Sequence, residues 1–222
     1  MLTSLKLVRD PKEIWPRRPH IVILTGNGKT ERRRILPPLC EKYNGREKFL
    51  WFPEPPRAKK ETGLKPFNAI KGYVMRYGLE RFLFVIDRKP QFEEIKPGRE
   101  QEEVSRYLEK KLKVRIGTTC ELIPEKAFIT RGYVGTHPFD VCTVIFGATS
   151  NVEEEISQLI QLKFGTQVNP DETEIKEFLR KKGKRLENLV REASKNYLEK
   201  AFPGLCGALK KIEEELGSKV LP

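Results

Sequence analysis

Two unbroken apolar runs stand out in an otherwise polar chain. They are Ile21-Val22-Ile23-Leu24 and Phe82-Leu83-Phe84-Val85-Ile86. A strand with one wet face alternates apolar and polar residues. A continuous run rich in β-branched and aromatic side chains instead fits a strand covered on both faces. Asp140–Gly147 (DVCTVIFG) is a third strand of this kind, and Phe49-Leu50-Trp51-Phe52 a short aromatic one. Weaker pieces lie at Glu121-Leu122-Ile123 and at Ala127–Thr130.

The spacing between the strands is helical. Ile70, Tyr73, Val74 and Tyr77 share one face of a helix over 66–77, and Val104, Tyr107, Leu108 and Leu112 one face over 100–112. Val152–Phe164 opens on Glu153, Glu154 and Glu155, where acids complement a helix dipole. A charged helical stretch over 171–200 follows, then a last helix over 204–216. Pro37 and Pro38 interrupt the basic helix expected from Thr30 onward and predict a kink or restart there. Strands alternating with helices predict an α/β protein with a mostly parallel central sheet flanked by helices. Residues 1–150 form the α/β core domain, and 151–222 a helical C-terminal region packed on it. A chain of 222 residues can bury such a core without disulfides or metals.

Charge adds a class of partner. Lys and Arg number 43 against 31 Asp and Glu, a net charge of +12. An excess of this size favours a polyanion, most often nucleic acid. The basic residues cluster. Lys29, Arg32, Arg33 and Arg34 follow a glycine turn. Arg57, Lys59 and Lys60 lie in a Pro-rich loop beside Trp51 and Phe52, and cations next to aromatics suit single-stranded nucleic acid. Arg180, Lys181, Lys182, Lys184 and Arg185 form the densest run, with no acid inside it, and read as a backbone-contacting patch. Each cluster also has a plainer reading as a solvated surface.

The four cysteines are scattered without zinc-ligand spacing and read as small buried residues of a reducing cytoplasm. No apolar stretch approaches a membrane span, and the N-terminus lacks a signal-peptide core. Abundant Lys, Glu and Arg with few Met and His match thermophile usage. A cytoplasmic protein is expected, as a homo-oligomer or part of a larger assembly.

The chemistry-bearing motif is Gly26-Asn27-Gly28-Lys29-Thr30 after the first strand, together with Asp87 closing the second. A phosphate-binding P-loop needs a glycine five residues before its Gly-Lys pair, so that a long loop can wrap the phosphates. That position is Ile23, inside the strand, so the loop is too short and an NTP-binding protein is a minor alternative.

The segment Gly28–Leu36 with strand-borne Asp87 resembles the Toprim domain, in particular Toprim-type nucleases related to the OLD family. The resemblance spans about the first 90 residues and rests on two short motifs. It implies Mg²⁺ or Mn²⁺ held by acids at strand ends for phosphodiester hydrolysis. Two positions depart from the pattern. Asn27 stands where the family's glutamate precedes glycine, and Lys89 stands at the second acid of Asp-x-Asp. Glu31 and Asp87 carry over as metal-binding and catalytic residues, with Asp140 as a third ligand and Glu121 or Glu125 as alternatives. An RNase H-like fold, with Asp87 and Asp140 at strand ends, follows the same metal logic. His137, three residues before Asp140, is a candidate general acid or metal ligand. The expectation is a nucleic-acid-binding, metal-dependent nuclease that slightly favours single strands. Its rival is a non-catalytic binding subunit with a degenerate metal site. Asp87 and Glu31 also have structural readings, as a turn cap and as an early-helix acid.

Overall fold

The computed structural model describes residues 6–8, 21–26, 34–42, 49–51, 62–92, 94–95 and 98–217. Its strands are β1 (Lys6–Val8), β2 (Ile21–Thr25), β3 (Phe49–Trp51), β4 (Arg81–Asp87), β5 (Arg115–Ile123), β6 (Ala127–Val134) and β7 (His137–Phe146). They form one sheet in the order β1-β3-β2-β4-β7-β6-β5. The pairs from β1 to β7 are parallel, and β7-β6 and β6-β5 are antiparallel. The expected α/β fold with a mostly parallel sheet is the observed one.

Helices cover both faces. They are α1 (Leu36–Lys42), α2 (Asn68–Tyr77), α3 (Glu100–Tyr107, widened over Leu108–Leu112), α4 (Glu153–Phe164), α5 (Glu172–Lys181), α6 (Leu186–Glu192), α7 (Lys195–Ala201) and α8 (Pro203–Gly217). Alternate residues of the central strands point to opposite faces. Ile21, Ile23, Leu83 and Val85 pack with Leu36 of α1 and with Ile156, Leu189, Leu198 and Leu209 of the C-terminal helices. Val22, Leu24, Phe82, Phe84 and Ile86 pack with Phe67, Ile70, Val104 and Leu108 on the other face. This is why β2 and β4 read as unbroken apolar runs.

The crossover rule explains the two layers. The β2–α1–β3 connection moves to one side of β2, and β3–α2–β4 returns past it. Right-handed crossovers in opposite directions must lie on opposite faces. The chain direction therefore reverses between β2 and β4. In open α/β sheets, the carboxyl ends of the strands at such a point form the usual ligand crevice.

Several local features bear on the expectations. Arg34 and Ile35 form a wider π-type turn and regular α-helix begins only at Leu36, so the winding changes just ahead of Pro37 and Pro38, in line with the expected kink or restart. The stretch over 171–200 is three helices. Gly183, at φ 62, ends the first, and Ser194, in extended backbone, caps the third by accepting the Tyr197 N–H at 3.2 Å. The weak strand pieces are parts of longer strands: a two-residue turn with Gly135 at φ 62 joins β6 to β7. No described helix is long and apolar enough to cross a membrane. Cys142 and Cys206 are buried as expected, whereas Cys120 is exposed on β5.

Candidate nucleic-acid interface

Gly26 ends β2 at the switch point. Its N–H donates to the Val85 carbonyl at 2.8 Å, and its own carbonyl accepts from the Gly63 N–H at 2.8 Å. A Cβ on Gly26 would stand 2.6 Å from the Gly63 carbonyl oxygen. The glycine is needed here because two backbone segments cross at contact distance.

Asp87 ends β4 on the same edge. Its Oδ1 accepts the Val152 N–H at 3.0 Å, tying the strand tip to the start of α4. Two more acids serve the same turn. Buried Glu155 accepts the Gly147 N–H on both oxygens, each at 2.9 Å, and pairs with Lys126 at 3.1 Å. Glu154 accepts the Ala148 N–H at 2.5 Å, the Thr149 N–H at 3.1 Å and the Thr149 hydroxyl at 2.8 Å. Burial pushes the Glu155 carboxyl up against the opposing pull of Lys126. For Glu154, burial is the largest single influence but is outweighed by the Thr149 hydroxyl and the loop N–H groups, so its carboxyl lies below the ordinary range. A loop with free N–H groups before a helix would attract phosphate. In this loop Gly147, Ala148, Thr149 and Val152 already donate to the chain's own carboxylates.

The remaining acid candidates lie elsewhere. Asp140 pairs with Arg81 in the register that sets Asp87 beside Phe146. Six residues at strand rise put Asp140 about 20 Å from Asp87. This corrects the expectation that they share a metal, in its Toprim-like and RNase H-like forms alike. Asp140 instead faces Arg131 across the β6–β7 pair, at 3.7 Å. His137 is exposed beside the β6–β7 turn, farther along the same distant edge. Glu121 accepts the Glu125 N–H at 2.9 Å in the β5–β6 turn. Glu31, Lys29, Arg32, Arg33, Arg57, Lys59 and Lys60 lie outside the described residues.

A Mg²⁺ or Mn²⁺ ion needs several oxygen ligands at one point, and two-metal hydrolysis needs more. Among the described residues no three His, Cys, Asp or Glu side chains form such a group. The described acids therefore do not fit the ion that the resemblance implies.

One buried group was not legible in the sequence. Arg88, between Asp87 and Lys89, is 5% exposed and ion-paired with Glu100 at the start of α3. Its Nη2 also donates to the Glu125 carbonyl at 3.3 Å. A charged connection in the sequence is in fact an interior bridge between the switch edge and the β5–β6 turn. An Arg followed twelve residues later by a Glu carries no sequence signal for this pairing.

The structure brings two basic segments together. Arg34, just before α1, lines a cavity of about 400 Å³ with Lys184, Arg185, Leu186 and Glu187 at the start of α6. The opposite wall is Glu153 and Ile156 of α4 with Glu172, Ile175, Lys176 and Leu179 of α5. Arg34 follows β2 and Glu153 follows β7, which sets these two lining residues on the carboxyl side of the sheet.

The basic run is divided. Arg180, Lys181 and Arg185 are exposed, and the Lys182 ammonium lies over the Phe178 and Phe164 rings at 5.7 and 5.9 Å. Lys184 donates to both oxygens of Glu192 at 2.8 and 2.9 Å, and Lys163 donates to the same carboxylate at 2.9 Å. Those hydrogen bonds, Lys184 first, hold the Glu192 carboxyl down to about 2. Lys176 pairs with Glu172 at 2.7 Å. Among the described residues, Arg34 and Arg185 have no carboxylate partner.

Comparison with protein-family models, with curated proteins and with solved structures finds no match.

Proposed function

We propose that this protein binds nucleic acid along the carboxyl edge of its sheet, by its phosphate backbone, without hydrolysing it. The observation that carries this reading is the convergence of Arg34 with Lys184 and Arg185 around one cavity. Two basic segments far apart in sequence meet beside the first turns of α1 and α4. The net charge of +12 supports a polyanionic partner. Absence of hydrolysis is supported by Asp87 acting as an anchor for α4, and by Asp140 and His137 lying at the far edge.

Fluorescence anisotropy with labelled single strands and duplexes of DNA and RNA tests the binding. The same oligonucleotides incubated with Mn²⁺, Mg²⁺ or EDTA test for cleavage. Tight, salt-sensitive binding with intact oligonucleotides in all three is the expected result. Metal-dependent cleavage abolished by Asp87→Asn would replace this reading with the nuclease. No binding at low salt would remove both.

A further inference from the structure

We propose that the cavity between α1, α4, α5 and α6 seats a single unstacked nucleotide of a bound strand. The inference rests on the nucleic-acid reading above and adds the unit that is recognised.

Size is the first argument. A cavity of about 400 Å³ lies within the range of sites that enclose one small ligand. A volume of this size suits one nucleotide, which favours single strands or ends.

The lining is the second argument. Ile156, Ile175, Leu179 and Leu186 are buried and give an apolar floor for the flat face of a base. Arg34 and Arg185 supply planar guanidinium groups suited to a phosphate. Glu153, on the opposite wall, is an acceptor for sugar hydroxyls or an exocyclic amine. Burial, with smaller contributions from Glu172 and Asp171, pushes its carboxyl up, so a hydrogen-bond donor from a ligand would be favourable there.

Inorganic phosphate fits less well, because it would leave the apolar floor uncovered. A nucleotide presents an anion, an apolar face and donors together.

Methyl NMR on the full-length protein, labelled at Ile and Leu and titrated with 5′-AMP, adenosine or inorganic phosphate, tests the proposal. Saturable AMP shifts on Ile156, Ile175, Leu179 and Leu186 are expected. Arg185→Ala should weaken AMP about tenfold, as should omitting either the phosphate or the nucleoside. Arg185 is exposed, and the wild-type methyl map needs no variant to fold. Absence of saturable AMP shifts at those methyls would overturn the proposal, as would phosphate binding as tightly as AMP. An oligonucleotide titrated on the same samples separates the two readings. If it binds while AMP leaves the methyls unmoved, this inference fails and the binding reading stands. If neither binds, both fail.

Discussion

Asp87 shows how one residue supports two opposed expectations. An aspartate at the tip of a buried strand is where many α/β proteins hold a metal, and also where a strand end is fastened to the next turn. Its contact with the Val152 N–H at 3.0 Å fits the second. Asp87→Ala should destabilise the fold by about 1 kcal/mol, the scale of a lost helix cap, whereas Asp87→Asn keeps an acceptor and should cost less. Urea unfolding of the two variants checks this. Glu192 is the other decisive residue, since it holds Lys184 and Lys163 together. Glu192→Gln should release both and tighten oligonucleotide binding about two- to fivefold at low salt. Its folded carboxyl lies at about 2, well below the ordinary carboxylate range. The stabilisation from this cluster is therefore full above pH 4.5 and is lost as pH falls toward 2. Carboxyl NMR titration should find Glu192 titrating well below the ordinary carboxylate range. The sequence displayed the run over 180–185 but not its acid, because Glu192 reaches Lys184 only after α6 has turned back.

Among the elements, β2 and β4 were legible because burial on both faces writes itself as an unbroken apolar run. The β5–β6 arm was less so. β5 exposes most of its length, so its hydrophobic pattern is weak and pairing with β6 defines it. Gly26 answers to the Gly63 backbone, which no local pattern announces. Gly26→Ala should destabilise by about 1–3 kcal/mol, the scale of overpacking in a close-packed interior. Thermal unfolding would register it. A neutral effect would mean that the two segments part easily. The start of α4 was foreseen as acidic for its dipole. Tertiary structure gives those acids a further role, since Glu154 and Glu155 fold back onto the loop N–H groups of residues 147–149. The turn after β7 thus meets its own electrostatic demand.

Over the whole molecule, the topology brings Arg34 and Arg185, which are distant in sequence, to one cavity. The chain reverses between β2 and β4, α1 starts on the C-terminal-helix face, and α6 returns to meet it there. Fold class and net charge were readable from the chain, but the meeting of Arg34 with Arg185 depended on the topology. The central claim is that the carboxyl edge of the sheet binds nucleic acid through phosphates, and a salt titration tests it most directly. Affinity for a labelled single strand should be measured across salt concentrations for wild type and for Arg34→Ala/Arg180→Ala/Arg185→Ala. Each single-strand phosphate contact contributes about 0.7 to the slope of log affinity against log salt, so losing three should reduce it by about 2. A triple variant with unchanged affinity and slope would contradict the account.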